Sequence, residues 1–280
     1  MSDMATIRSV ISSTERTKKI TSAMQLVASS KMVKAQKLMQ KARPYADNIS
    51  RILQHMGSMQ KFDHPVFAEP RGEKAVYIVL SSDRGLCGGL NIALFKKVIM
   101  EMQQSGQENV CLVGNKAKQF FQRIGGNVIN VKTHLGDAPD INEVYSIVQQ
   151  VVDGFLNGQY DRIYLAYNKY VNVMTQEPVV VPMLPVSNHE EDSKAQWDYI
   201  YEPNVESIFD VLVTRYAMSV VYAAVLENNA CEQSARMIAM KSATENAEGV
   251  IDDLRLAYNK ARQAVITTEL SEIIAGAGAV

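Results

Sequence analysis

The residues most able to do chemistry lie in SSDRGLCGGLN, positions 81–91. Three glycines, an arginine, an aspartate and a cysteine stand between a run of branched apolar residues and a helical pattern. Such a stretch can cradle a phosphate on backbone N–H groups, or present a thiol on a tight turn. Each chemistry makes a further demand. A dinucleotide site needs GxGxxG and an acid at the end of the second strand to hold the ribose. Here the glycines are Gly85, Gly88 and Gly89, and the second strand runs out in Gly114, Asn115 and Lys116. A Walker loop needs Gly-Lys-Ser/Thr at the helix start, where this chain has Leu90-Asn91. Cys87 as a nucleophile needs a base and an orienting group. His55, His64, His134 and His189 are scattered without catalytic spacing, and the same scatter argues against a metal site. The loop is expected to be a strand-to-helix crossover, with no catalytic residue, cofactor or metal.

The elements around it read as a small α/β body. AVYIVLSS (75–82), NVCLVGN (109–115), NVINVKTHL (127–135) and DRIYLAYNKYVN (161–172) have strand character. IALFKKVIMEMQQ, KAKQFFQRIG and INEVYSIVQQVVDGFL between them have helical character. This alternation predicts a mainly parallel sheet. EPVVVPMLPV (177–186) reads as one more strand, placed at an edge by its prolines. Residues 187–198 are polar and read as a connection.

Both ends of the chain follow a different period. From Phe209 to Thr268, alternating steps of three and four pass through Leu212, Tyr216, Leu226, Met240, Ile251 and Val265 and meet no charge. A 3.5-residue period sustained this long predicts a coiled-coil seam. The N-terminal segment repeats it from Ile7 to Met59, through Val10, Met24, Lys31, Leu38, Tyr45 and Ile52. Pro44 should kink that helix rather than end it, because the period continues beyond it. Thr14 to Thr21 is poor in apolar residues, so a polar surface should face it. A helix from about 204 to about 275 would be ~105 Å long, against a diameter of ~50 Å for a globule of this size. The second helix should outrun the first by ~19 residues, or ~28 Å.

Charge and composition narrow the possibilities. The chain of 280 residues has a formal net charge of -1, which gives no global case for nucleic-acid binding. Residues 1–51 carry ten Lys and Arg against three acids, and residues 204–280 carry six against ten. The ends are complementary in sign, as two helices lying side by side would be. Cys87, Cys111 and Cys231 are an odd number without metal spacing, which suits a reducing compartment. No stretch approaches the ~18 apolar residues of a membrane span. MSDMATIRS lacks the apolar core of a secretory signal, and no organelle leader is expected. Trp197, Tyr199 and Tyr201 cluster near the second long helix, and such residues are enriched at interfaces.

IRSVISSTERTKKITSAMQLVASSKMVKAQ, SDRGLCGGLN, ARMIAMKSATENA and YNKARQAVITTELSEIIAGAGA resemble, in this order, signature segments of the gamma subunits of F-type ATP synthases. The resemblance covers essentially the whole chain. It implies an antiparallel coiled coil of both ends, forming a rod, plus a Rossmann-like α/β central domain. It further implies a non-catalytic rotor shaft that couples proton-driven rotation of a c-ring to ATP synthesis or hydrolysis on beta subunits. The implied partners are alpha and beta subunits, epsilon and the c-ring. Nucleic acid is not among them, and membrane association is indirect, through the c-ring. The implied location is peripheral, on the cytoplasmic face of a bacterial plasma membrane. By position, Arg262 and Gln263 match residues that engage a beta-subunit loop, with Arg236, Thr267 and Glu269 nearby and Met24 on the facing helix. Tyr199, Tyr201 and Glu202 match the foot that meets the c-ring. The chloroplast type's inserted cysteine pair is absent, so thiol control is not expected.

The expected division is a coiled-coil helix at 1–59, a linker at 60–74, the α/β domain at 75–186, a connection at 187–203 and a second coiled-coil helix at 204–280. Two other classes are compatible with the residues alone. They are a basic coiled-coil adaptor for nucleic acid, marked by salt-dependent binding, and a small α/β enzyme that dimerises through its helices.

Overall fold

The computed structural model describes residues 2–58, 64–68, 72–106, 109–186, 202 and 205–277. In chain order the elements are α1 (Ser2–Ser58), β1 (Ala75–Leu80), α2 (Leu90–Ser105), β2 (Asn109–Val113), α3 (Asn115–Ile124), β3 (Asn127–Lys132), α4 (Ile141–Leu156), β4 (Arg162–Tyr170), β5 (Gln176–Leu184) and α5 (Val205–Ala277). They form two compact units, one of residues 29–235 and one of residues 1–28 with 236–280. No helix among the described residues is long and apolar enough to cross a membrane.

In the larger unit the strands lie in the order β3-β2-β1-β4-β5. β1 pairs in parallel with β2 and β4, and β2 pairs in parallel with β3. β1 is buried at every residue because both faces of the sheet are covered, which is why AVYIVL is continuously apolar rather than alternating. The two-residue strand period still sorts its side chains. Tyr77 and Val79 join Leu94, Phe95 and Val98 of α2 and Phe121 of α3. Val76, Ile78 and Leu80 join Val148 and Val152 of α4, together with Leu53 of α1 and Val213 and Ala217 of α5. The sheet is therefore packed between α2 and α3 on one face, and α4 with the two long helices on the other. β5 is antiparallel to β4 and ends the sheet, so Pro178 and Pro182 leave no central ladder unpaired. The stretch from Thr133 to Gly136 is loop rather than a continuation of β3, and His134 there has φ 65°.

α1 runs unbroken through Pro44. Its buried stripe differs in phase from the expected seam at every second position. Ala28, Ala35, Ile49 and Met56 are buried as expected, but the alternating places belong to Met32, Met39, Ala46 and Leu53. Lys31, Leu38 and Ile52 are only half-buried, while Val10, Thr17 and Tyr45 are exposed. Both phases carry apolar residues, so periodicity alone could not separate them. The partner separates them: α5 offers small residues such as Ala230 opposite Ala35, and the neighbouring Met39 packs with Leu226.

In the smaller unit the polar run of α1 meets polar residues of α5. Thr21 and Thr244 share a hydrogen bond of 2.7 Å, Lys18 pairs with Glu248 at 2.8 Å, and Glu15 pairs with Arg255 at 2.9 Å. The bond and charge of Lys18 hold the Glu248 carboxyl below its usual range. α1 has 57 residues and α5 has 73, an excess of 16 rather than ~19, because α1 begins at Ser2. The last seam residue with partial cover is Val265, and residues 266–274 are all exposed.

Candidate interaction surface

The glycine-rich loop is held by its own side chains. Asn91, at the start of α2, accepts from the Ser82 N–H at 3.2 Å and donates to Ser82 Oγ at 2.7 Å. Ser82 Oγ is also 2.7 Å from the Arg84 carbonyl, to which it can donate, and Asp83 Oδ1 accepts from the Asn115 N–H at 2.9 Å, at the start of α3. Gly88 (φ 59°) and Leu86 (φ 64°) turn the chain between them. Cys87 lies buried with Leu90 and Cys231, and its Sγ accepts from Asn91 Nδ2 at 3.3 Å. The side chains of Ser82, Asp83 and Asn91 are thus spent on the crossover.

In an open α/β sheet, ligands bind beyond the carboxyl ends of the strands where the strand order reverses. That place lies between β1 and β4, and α5 packs against the β4 side of it. Asn228, 4% exposed, takes hydrogen bonds from the N–H and Nδ2 of Asn168 at 3.3 and 2.9 Å. Beside it, Cys231 Sγ donates to the Asn168 carbonyl at 3.1 Å. Burial pushes the Cys231 thiol up from its ordinary range, and the Cys111 thiol up to about 12, so both stay protonated at neutral pH.

The residues expected to meet partners lie mainly on α5. Arg262, Gln263, Thr267 and Glu269 are exposed, and Thr267 Oγ1 donates to the Gln263 carbonyl at 2.8 Å. At 100° per residue, Arg262 and Glu269 share one strip, and Gln263 and Thr267 share the next. The same two strips carry Ile266, Leu270, Ile273 and Ile274, of which Ile274 is 70% exposed. Those four belong to AVITTELSEIIAGAGAV, the overhang whose apolar residues the sequence leaves without cover. The available signal was that apolar residues continue beyond the point where α1 can cover them. Met24 is half-buried on α1, and Arg236 is buried. Glu202 is exposed, while Tyr199 and Tyr201 lie outside the described residues.

The chain matches the ATP synthase family over residues 3–280. It is 47% identical over 282 residues to the ATP synthase gamma chain of Nitrosococcus oceani, covering 98% of each. Its identity to the ATP synthase gamma chain of Coxiella burnetii is 49% over 288 residues, covering the whole of both. The chain belongs to the ATP synthase gamma chain family. Solved structures agree in fold with this gamma-chain assignment. The central stalk and c-ring structure of the Tetrahymena thermophila mitochondrial ATP synthase contains a chain matching 80% of this one and 99% of its own length, with TM-score 0.65 and 24% identity. The rotor of the Euglena gracilis mitochondrial ATP synthase contains one matching 95% and 99%, with TM-score 0.65 and 18% identity.

Proposed function

We propose that this gamma chain is the central rotor shaft of an F-type ATP synthase, a non-catalytic subunit that couples c-ring rotation to ATP synthesis or hydrolysis on the beta subunits. The observation that carries the reading is the end of α5, where exposed Ile266, Leu270, Ile273 and Ile274 extend past the cover of α1. A bare apolar helix end of this kind needs a sleeve, and a hexamer of alternating alpha and beta subunits supplies one. A sleeve can read the shaft's angle only if its contacts differ with orientation. The two helices meet that condition, because the polar layer of Lys18, Thr21, Thr244 and Glu248 interrupts their apolar surface. Each beta subunit then faces a different mixture of charge and hydrocarbon, and turning the shaft exchanges those mixtures.

Arg262 and Gln263 engage a beta-subunit loop in this reading, flanked by Thr267 and Glu269, while Met24 and Arg236 hold the facing helix surfaces in place. Tyr199, Tyr201 and Glu202 form the foot toward the c-ring, and epsilon binds near it. The complex is peripheral to the membrane through the c-ring, on its cytoplasmic face. The direct test is assembly: the chain mixed with alpha and beta subunits should form a complex whose ATP hydrolysis turns a probe on the α/β body. A chain that stays apart from them, or does not turn, would sink the reading.

Two substitutions examine its parts. Arg262→Ala with Gln263→Ala should lower hydrolysis by the assembled complex by about tenfold, or ~1.4 kcal/mol of barrier. Thermal melting of the chain should barely move, since both side chains are exposed. Unaltered turnover with normal assembly counts against their role. Cys87→Ala should leave hydrolysis within a factor of about two, because the thiol is buried against Leu90 and Cys231 and takes a hydrogen bond from Asn91 within the crossover. A loss above about tenfold with intact folding would mean that the thiol takes part in function.

A further inference from the structure

The carboxyl edge of the sheet grips both long helices at one level of the larger unit. On β4, the N–H and Nδ2 of Asn168 reach Asn228, and the Tyr170 N–H donates to Glu227 Oε1 at 2.9 Å. In the loop before α4, the Asp137 carbonyl accepts from Asn229 at 2.7 Å and the Pro139 carbonyl accepts from Tyr222 at 3.1 Å. The same two segments hold α1, where Gln36 donates to the Tyr170 hydroxyl and Lys31 pairs with Asp137 at 2.7 Å. Lys31 and Gln36 lie level with α5 around Ala230, because Ala35 packs there. These are among the first residues of α1 and the last of α5 in this unit.

The chemistry of this grip is unlike that of the surrounding core. Apolar packing is non-directional and roughly proportional to area, so it resists separation of a helix better than rotation of the helix about its own axis. Hydrogen bonds weaken steeply when their angle is lost, and they resist that rotation. Stability does not account for the Asn168–Asn228 pair. Asn168 is fully buried and its Oδ1 has no partner, an arrangement that costs about 1–3 kcal/mol. A buried polar pair kept at such a cost fixes geometry.

We propose that the end of β4 and the 133–140 loop form a torque clamp, which locks the rotational setting of α5 and α1 to the α/β body. The positioning residues are Asn168, Tyr170, Glu227, Asn228 and Asp137, and the proposal rests on the rotor reading above. In an assembled complex with the hexamer fixed to a surface, a probe on Met174→Cys, 73% exposed in the parent, reports the angular fluctuation of the body. Glu227→Ala with Asn228→Ala removes three of the six hydrogen bonds from these strand and loop segments to α5 named here and above. Halving the directed contacts should about double the angular variance, and the donors left without acceptors on Asn168 should lower the melting temperature of the complex. Glu227→Gln keeps an acceptor oxygen for Tyr170 and should fluctuate like the parent. If the double variant does not assemble, Tyr170→Phe with Lys31→Met makes the same measurement by deleting one hydroxyl and one half-exposed ammonium. Parental variance in complexes that assemble and turn overturns the clamp and leaves the rotor reading standing. Failure of the parent chain itself to assemble or turn overturns both.

Discussion

In the isolated chain, the amides of residues 266–277 exchange with solvent at close to the rate of an unfolded peptide, and assembly slows them at least about 100-fold, or ~2.8 kcal/mol of opening. Thr21 faces Thr244, so Ser2 lies level with a position about 19 residues further along α5. Beyond that level every described side chain to Ile274 is exposed except the half-buried Val265. A single helix of about 12 residues is marginal in water even with good propensity. The described side chains of this one, 266–274, are all exposed, so no packing raises its opening energy there. The segment around Met240, Ala247 and Ile251, which are 5%, 9% and 3% exposed, serves as an internal control and should be slow in both states. Equal and slow exchange of 266–277 with and without the hexamer would mean that the chain stabilises its own tip. The sleeve would then be unnecessary.

Gly114→Ala should destabilise the larger unit by about 3 kcal/mol or more, through backbone strain and overlap together. Gly114 stands between β2 and α3 with φ 97°, a conformation that side chains rarely adopt. An added Cβ would overlap the carbonyl oxygen and hydroxyl of Ser81, and Ser81 has no room to retreat. Its N–H is bonded to Val113, and its Oγ accepts from the Ala117 N–H at 2.9 Å. A loss of this size lowers the melting temperature by roughly 6–12 °C for a body of this length. Gly88→Ala is the comparison: φ is positive there too, but nothing lies within 4 Å. If Gly114→Ala costs no more than Gly88→Ala, overlap with Ser81 is not what requires glycine.

The sequence exposed these features to different degrees, for physical reasons that differ. AVYIVL could be read as a strand because a sheet covered on both faces selects a continuous apolar run. The prolines of β5 placed it at an edge because they cannot donate to a ladder. The seam of α1 could be read only to within its phase. Ile52 and Leu53 are equally apolar, and α5, far away in sequence, decides that Leu53 is fully buried. The polar face expected near Thr14–Thr21 was legible as a deficit of hydrocarbon, while its partners Thr244 and Glu248 were not. The Asn168–Asn228 pair was invisible, since asparagines on a strand and a helix carry no periodic signal. The exposed apolar residues of the tip were legible from length alone, because the second helix must outrun the one that could cover it.

Every layer of the paired helices is built from opposite ends of the chain, with 223 residues between Thr21 and Thr244. A ribosome adding about 5–20 residues per second needs roughly 10–45 s to make that interval. Through most of it, α1 is outside the ribosome while the helix that completes each layer does not yet exist. Met32 and Met39, both buried in the finished protein, are in water for much of that time. The α/β body can fold first and cover Leu53 and Met56, which belong to its core. The portion of α1 before residue 29 has no such early shelter, and its pairing must be among the last events in the synthesis of the molecule.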